Sequence, residues 1–397
     1  MNAVSAMNAT NDTSAAPDTG PGKRLTDLLP VLLRHPLCRP LAALAILLLI
    51  DLFAIPGFFR LEIKDGHLYG SVIDIVNRAA PLMLAALGMT LVIATRGIDI
   101  SVGAVVAIAG TVAAMLIGGT MVVHNGVPEY VSRIPMIWAL CAAMGAALLC
   151  GAWNGLLVAT LGLQPIIATL ILMVAGRGLA QLLTDGQIVT VYYKPFFFLG
   201  SGYLFGVPFS LFIVAAVFLV VALLMRKTAL GLFIQAVGIN PVAARLAGVK
   251  TAALLFFVYI FCSACAGMAG LMISANIKSA DANNAGLLLE LDAILAVTLG
   301  GTSLGGGKFS LPGSIIGALI IQTLTYTIYS LGVPPEVNMV VKSVVVFLVC
   351  LSQSPEFKQL WLRAFPHKSS SAAPSSAPSS ASSSALSSAS SSTNTPS

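Results

Sequence analysis

Charged side chains are scarce in this sequence. Only 9% of its 397 residues are Asp, Glu, Lys or Arg, where a soluble domain carries roughly 25%. Charge at that density cannot cover a water-facing surface of this size. With 57% hydrophobic residues and a mean hydropathy of +0.93, most of the surface must face lipid. Strand-like alternation over about ten residues does not recur, which argues against a transmembrane barrel. Histidine is also sparse: His35, His67, His124 and His367 lie scattered in tails and loops. No metal motif or nucleophile arrangement accompanies them, so a membrane enzyme lacks support. The six cysteines form no disulfide framework. "CSAC", Cys262 to Cys265, reads as two small residues on one face of a membrane helix rather than as a redox pair.

A nucleotide site is missing as well. The run "LGGTSLGGGKFSLPG", 299–313, has glycines ahead of Lys308. A phosphate loop needs Gly, four residues, then Gly-Lys and Ser or Thr. Thr302 stands at the first glycine's place and Phe309 at the hydroxyl's. The glycines instead suit a tight turn between membrane helices. The net charge of +6 does not indicate nucleic acid, because the basic residues sit in loops between apolar runs.

Long apolar runs are what the chain has in abundance. They cover 40–59, 73–95, 100–119, 134–162, 165–184, 209–225, 251–275, 286–301, 311–332 and 337–352. The expected fold is an all-α polytopic membrane protein of about ten transmembrane helices, some broken or re-entrant. Residues 1–38 form a polar N-terminal tail without the apolar core of a signal peptide. Residues 39–354 form the transmembrane domain, with a cytoplasmic loop at 226–250. Residues 355–397 form a C-terminal tail, Ser/Ala-rich and expected to be disordered from 369. With the N-terminus inside, Arg96, Arg226, Lys227, Arg245, Lys250 and Lys308 all fall on the cytoplasmic side. That bias predicts ten spans with both termini on the cytoplasmic side. "GSIIG", Gly313 to Gly317, is a small-xxx-small pair suited to close helix packing.

The loop "MRKTALGLFIQAVGINPVAARLAGVK", 225–250, contains a good helix start. Asn240 can cap, Pro241 suits the first helical position, and Gly248 can end the helix. Val242 and Leu246, four apart, share one face of this short amphipathic helix. Two readings stand equal on physics alone: a solvated connector, or a docking site for a soluble partner.

"AVGINPVAARLAGVK" resembles the coupling loop of the membrane subunits of bacterial ABC-type sugar importers, the ribose-type permease family. "GMTLVIATRGIDISVGAVVAIAG" resembles that family's first signature, and "LELDAILAVTLGGTSLGGGKFSLPGSIIGALII" its last. The likeness runs from about Ile73 to Val349, with three separated motifs in order. "SVIDIVNRAAP" and "ADANNAGLLLELDAILAV" are most like its galactofuranose branch. The resemblance implies a permease for galactofuranose or a related monosaccharide such as ribose, in a bacterial inner membrane. It implies a cytoplasmic ABC ATPase that binds ATP and Mg, a second permease subunit of paralogous sequence, and a periplasmic sugar-binding protein. This chain itself is expected to bind no cofactor. The resemblance also implies that Gly238, Asn240, Pro241, Ala243, Ala244, Arg245 and Gly248 sit at the ATPase contact.

Polar residues within apolar runs are candidates for the translocation path. In "ATRGIDISVG", Asp99 or Ser101 is read first as a cap on the following helix, and second as path-lining. The family usually has glycine where this chain has Arg96, which could pair with Asp99 or reach the inner interface. Glu290 and Asp292 are two apart and face different ways on a helix, so they make no acid–base pair. Asp292 is favoured for the path because it shares a face with Ala296. Asn154 is expected to bond across helices. Arg177 needs a partner, with Gln181 or a neighbouring carboxylate as candidates. Gln322, Thr323 and Tyr326 form a neutral polar cluster at helical spacing, the type of lining a sugar needs. An ion-driven secondary transporter is the competing reading. It would want more charged residues in mid-helix, and it leaves the coupling-type loop without a purpose.

Overall fold

A computed structural model of the chain describes residues 37–344, apart from positions 65, 125, 126, 335, 336, 338 and 342, and also Phe347. All elements below lie within one compact unit that ends at Val344. In chain order they are α1 (Cys38–Ala54), β1 (Glu62–Lys64), β2 (His67–Tyr69), α2 (Ser71–Ala94), α3 (Val102–Ile117), β3 (Thr120–His124), β4 (Val127–Val131), α4 (Met136–Ala159) and α5 (Pro165–Leu183). There follow β5 (Val189–Thr190), α6 (Lys194–Ser201), β6 (Tyr203–Leu204), β7 (Val207–Pro208), α7 (Phe209–Lys227), α8 (Leu230–Ile239) and α9 (Pro241–Leu246). The last are α10 (Thr251–Ile277), β8 (Ser279–Ala280), α11 (Leu289–Leu299) and α12 (Leu311–Ser330).

Among the described residues, six helices are long and apolar enough to cross a membrane: α2, α4, α5, α7, α10 and α12. The first, third and eighth apolar runs fold as the shorter α1, α3 and α11. The tenth run, 337–352, lies largely outside the described residues. So do most of the two expected tails. The fold is not purely helical, because four small antiparallel ladders join loops: β1 with β2, β3 with β4, β6 with β7, and β5 with β8. The two- and three-residue strands have too little alternation to be read from sequence, and β3 and β4, five residues each, fall between the third and fourth apolar runs.

α2 and α10 form the centre. From Ala79 to Ala94, α2 buries every residue but Pro81. α10 packs against α2, α3 and α4. Small residues set the helix spacing, as expected where helices associate in lipid. A Cβ on Gly151 of α4 would meet the Ile260 Cα of α10 at 2.7 Å. Gly317 of the expected small-residue pair lies against the Ala296 carbonyl of α11, and a Cβ there would stand 1.9 Å from its oxygen. Hydrogen bonds add register. Thr90 Oγ1 donates to Ser314 Oγ at 2.7 Å between α2 and α12, and Thr327 Oγ1 donates to Asp51 Oδ1 at 2.6 Å between α12 and α1.

Two helices begin inside the bundle. After α2 ends, the backbone turns at Arg96 and runs back past Tyr259 to reach Val102. Segment 281–288 likewise enters from the end of α10 and packs Gly286 on Gly103 and Val106 before α11 starts. The starts of α3 and α11 therefore meet in the interior, Gly103 against Gly286 and Glu290.

Candidate functional site

The first site is a projecting surface. α9 is as the sequence dictates: Asn240 Oδ1 accepts from the backbone N–H of Val242 and Ala243, both at 3.0 Å. Pro241 opens the helix, and Gly248 closes it with a left-handed φ of 89°. Ala244 is the buried anchor, while Val242 and Leu246 are 67% and 85% exposed. Arg245 is held by the Thr251 hydroxyl at 3.4 Å. The preceding segment, expected from sequence as part of the cytoplasmic loop, is a helix of its own, α8. It adds exposed Leu232 and Ile239 beside α9. Gly238 anchors this pair to the bundle: a Cβ there would stand 1.9 Å from the Ala94 carbonyl oxygen and 2.4 Å from the Gly307 nitrogen.

Arg96 ties the same region together. It is exposed and bonds backbone carbonyls rather than Asp99. Its Nε donates to the Gly305 carbonyl at 3.0 Å and its Nη2 to the Ile239 carbonyl at 2.5 Å. Gly307 N donates to the Ala94 carbonyl at 2.9 Å. The glycine-rich run thus clasps the end of α2 and the end of α8. Arg96 has φ 65°, the left-handed region that glycine enters without cost. A glycine at this position is conformationally natural, and arginine offsets its strain with two charge-assisted hydrogen bonds.

The second site is buried where α3 begins. Asp99 Oδ1 accepts from Ser101 N at 2.9 Å and from Ser101 Oγ at 2.6 Å. Asn154 Nδ2 of α4 donates to Ser101 Oγ at 2.8 Å. The cross-helix bond expected of Asn154 is therefore made. Ser101 stands at the helix N-cap, but its side chain makes no cap bond. Asp99 takes the Ser101 N–H instead. Asp99 Oδ2, Asn154 Oδ1, Tyr259 OH and Ser263 Oγ are buried there without a hydrogen-bond partner among the described residues. Burying polar atoms in an apolar interior is costly unless they are bonded, and the Asp99–Ser101–Asn154 bonds offset part of that cost here.

The remaining candidates separate. Glu290, not Asp292, is the buried carboxylate of α11, at 2% exposure. Asp292 is half-buried, and Ala296 on its face of α11 is fully buried. Among the described residues Arg177 is hydrogen-bonded neither to Gln181 nor to a carboxylate, although the Glu290 and Asp281 charges act on it. Its Nη1 donates to the carbonyls of Ala285 at 2.6 Å, Ala282 at 3.3 Å and Asn283 at 3.4 Å. Gln181 donates to Asn283 Oδ1 at 2.8 Å. α5 thus clamps segment 281–288. In that segment burial pushes the Asp281 carboxyl up, but bonds from Asn284 and Asn283 and the Arg177 charge outweigh it, and the net shift is downward. Gln322 is half-buried on α12. Tyr326 turns to Phe58, with ring centres 6.2 Å apart, and lines a separate cavity with Asp74 and Asn77. The structure joins Asp99, Ser101 and Asn154, and leaves Asp292, Gln322 and Tyr326 apart from them.

A family profile described as the permease component of the branched-chain amino acid transport system matches residues 71–350. The chain belongs to this permease family. The permease is 52% identical over 321 residues to the galactofuranose transporter permease protein YtfT of Escherichia coli K12, covering 81% of this chain and 90% of that one. It is 41% identical over 301 residues to the fructose import permease protein FruF of Bifidobacterium longum, covering 75% and 81%. It is 36% identical over 317 residues to the ribose import permease protein RbsC of Escherichia coli K12, covering 79% and 92%. No solved structure matches.

The permease is thus a transport subunit and not an enzyme. Two features of it escaped the sequence reading. Asp51 of α1 is buried against Thr327, inside an apolar run where a single carboxylate is the only signal. The sequence favours Asp292 over Glu290, because the contact of Glu290 with α3 depends on Gly103, which no spacing rule connects to it.

Proposed function

We propose that this permease imports a monosaccharide, galactofuranose or a related sugar, across a bacterial inner membrane, driven by a separate ABC ATPase. A periplasmic sugar-binding protein delivers the substrate, and a second permease subunit, a paralogue, completes the path. The apolar runs form ten spans with both termini in the cytoplasm. ATP and Mg bind to the partner. The identity to a galactofuranose permease supports the substrate.

The observation that carries the reading is α9. It is capped, anchored by Gly238 and Ala244, and presents Val242 and Leu246 outward with Arg245. Exposed apolar side chains on a rigid short helix suit docking into a groove of a soluble partner. Motion at α9 passes to Ile239, and through Arg96 and Gly305 to the end of α2.

Replacing both Val242 and Leu246 by Glu tests this. Both side chains are exposed, so the bundle should assemble as before. The ATPase should no longer co-purify, and ATP-dependent uptake should stop. Normal co-purification and uptake would contradict the docking assignment.

A further inference from the structure

At the end of α2 opposite Ala94 lies a cavity of about 330 Å³, lined by Tyr69, Ser71, Asp74, Asn77, Tyr203 and Tyr326 among others. We infer that this cavity is a binding site for a neutral polyhydroxylated ring, a monosaccharide met at the mouth of the permease. The inference rests on the sugar-import reading and adds to it the residues that first hold the substrate.

The lining comes from four parts of the chain: the β1–β2 hairpin, the first turns of α2, β6, and α12. The hairpins are tied together, since Leu68 N donates to the Gly206 carbonyl at 3.0 Å. This places Tyr203 against Tyr69, ring centres 5.5 Å apart, and against His67 at 4.7 Å. Tyr326 is braced from behind by the Phe58 edge. Rigid phenol rings offer apolar faces with a hydroxyl at the tip. A sugar ring has the matching form, an apolar C–H face with hydroxyls around its rim. Burial pushes the Tyr203 phenol up, with Tyr69 and Asp74 adding to it, and the hydroxyl is hydrogen-bonded to Tyr69, which fixes the ring's position in the lining.

The polar groups are also pre-oriented. Ser210 Oγ donates to Asn77 Oδ1, so the amide's other end, the Nδ2 donor, is what Asn77 can offer a ligand. Arg78 Nε donates to Asp74 Oδ2 at 2.9 Å. A carboxylate can accept about four hydrogen bonds, so Arg78 uses only part of its capacity. Donors and acceptors thus interleave with aromatic faces, as neutral polyols require.

Charge selects among ligand classes. Three tyrosines and a carboxylate resemble a cage for an organic cation. The Arg78 guanidinium neutralises Asp74, which removes the attraction such a cation needs. A free amino acid requires separate receptors for its ammonium and its carboxylate. Among the described lining residues Asp74 alone is charged, and it is already paired with Arg78.

The test uses the full-length permease in lipid nanodiscs, without ATPase or binding protein. Saturation-transfer NMR is recorded with D-galactose, D-ribose, L-leucine and choline as probes. The expected result is transfer to the sugars alone. Tyr203→Ala should weaken sugar affinity about tenfold, the loss of one aromatic face and its hydroxyl. Tyr203→Phe, which keeps the ring, guards against misfolding and should weaken affinity less. No sugar signal in the wild type, equal signals in wild type and Tyr203→Ala, or preference for leucine or choline would overturn the inference. A parallel uptake assay with ATPase and binding protein separates the two readings. ATP-driven sugar uptake with no galactose or ribose binding at this cavity leaves the import function standing and removes the site.

Discussion

Gly103, in the first turn of α3, and Glu290, in the first turn of α11, touch where the two broken helices begin: a Cβ on Gly103 would lie 2.3 Å from Glu290 Oε2. The Gly286 carbonyl oxygen lies equally close, at 2.3 Å. Gly103→Ala should therefore force the two helix starts apart, a cost of about 1–3 kcal/mol by overpacking. Thermal unfolding in detergent reads the loss of stability. If the Glu290 tip were the sole obstacle, adding Glu290→Ala would restore the wild-type midpoint. Because backbone also blocks the space, the double variant should remain destabilised.

The turn at Arg96 predicts an unusual ranking. Arg96→Ala keeps the left-handed φ and loses both carbonyl contacts. Arg96→Gly also loses them, but removes backbone strain of about 1 kcal/mol. Melting midpoints should fall in the order wild type or Gly, then Ala. An alanine variant as stable as the glycine variant would show that strain here has no weight.

Asn240 should matter through its cap. Asn240→Ala removes both bonds to the first turn of α9, at a cost of about 1 kcal/mol. Asn240→Asp preserves the acceptor. Partner-stimulated ATP hydrolysis should drop in the alanine variant and persist in the aspartate variant. Equal activity in the two would separate coupling from the order of α9.

Asp51 and Thr327 fasten α1 to α12. Thr327→Val strips a buried carboxyl of its hydrogen bond, at about 1–3 kcal/mol. Asp51→Ala with Thr327→Val should cost less than the sum of the single changes, because the second replacement removes the orphaned group. A double-mutant cycle on thermal stability measures this. Strict additivity would mean that the two do not interact.

Much of this architecture was legible in the sequence, and particular residues show why. The α9 cap follows from Asn-Pro spacing alone, a local rule with a local cause. The GSIIG packing follows from side-chain size. What was missed depends on contacts far apart in the chain. α8 has a pattern indistinguishable from an amphipathic loop at ten residues. Arg177 is satisfied by carbonyls of segment 281–285, and no side-chain pairing rule reports backbone acceptors. Glu290 and Asp292 cannot be ranked without knowing which face of α11 meets α3. Asn154, by contrast, was placed correctly, because an amide inside a glycine-rich helix has few uses other than a bond across the interface.

Uptake of radiolabelled sugar into proteoliposomes holding the permease, its ATPase and its binding protein tests the central claim most directly. The account predicts accumulation that requires ATP and proceeds with no ion gradient. Accumulation without ATP that follows a proton or sodium gradient would contradict it.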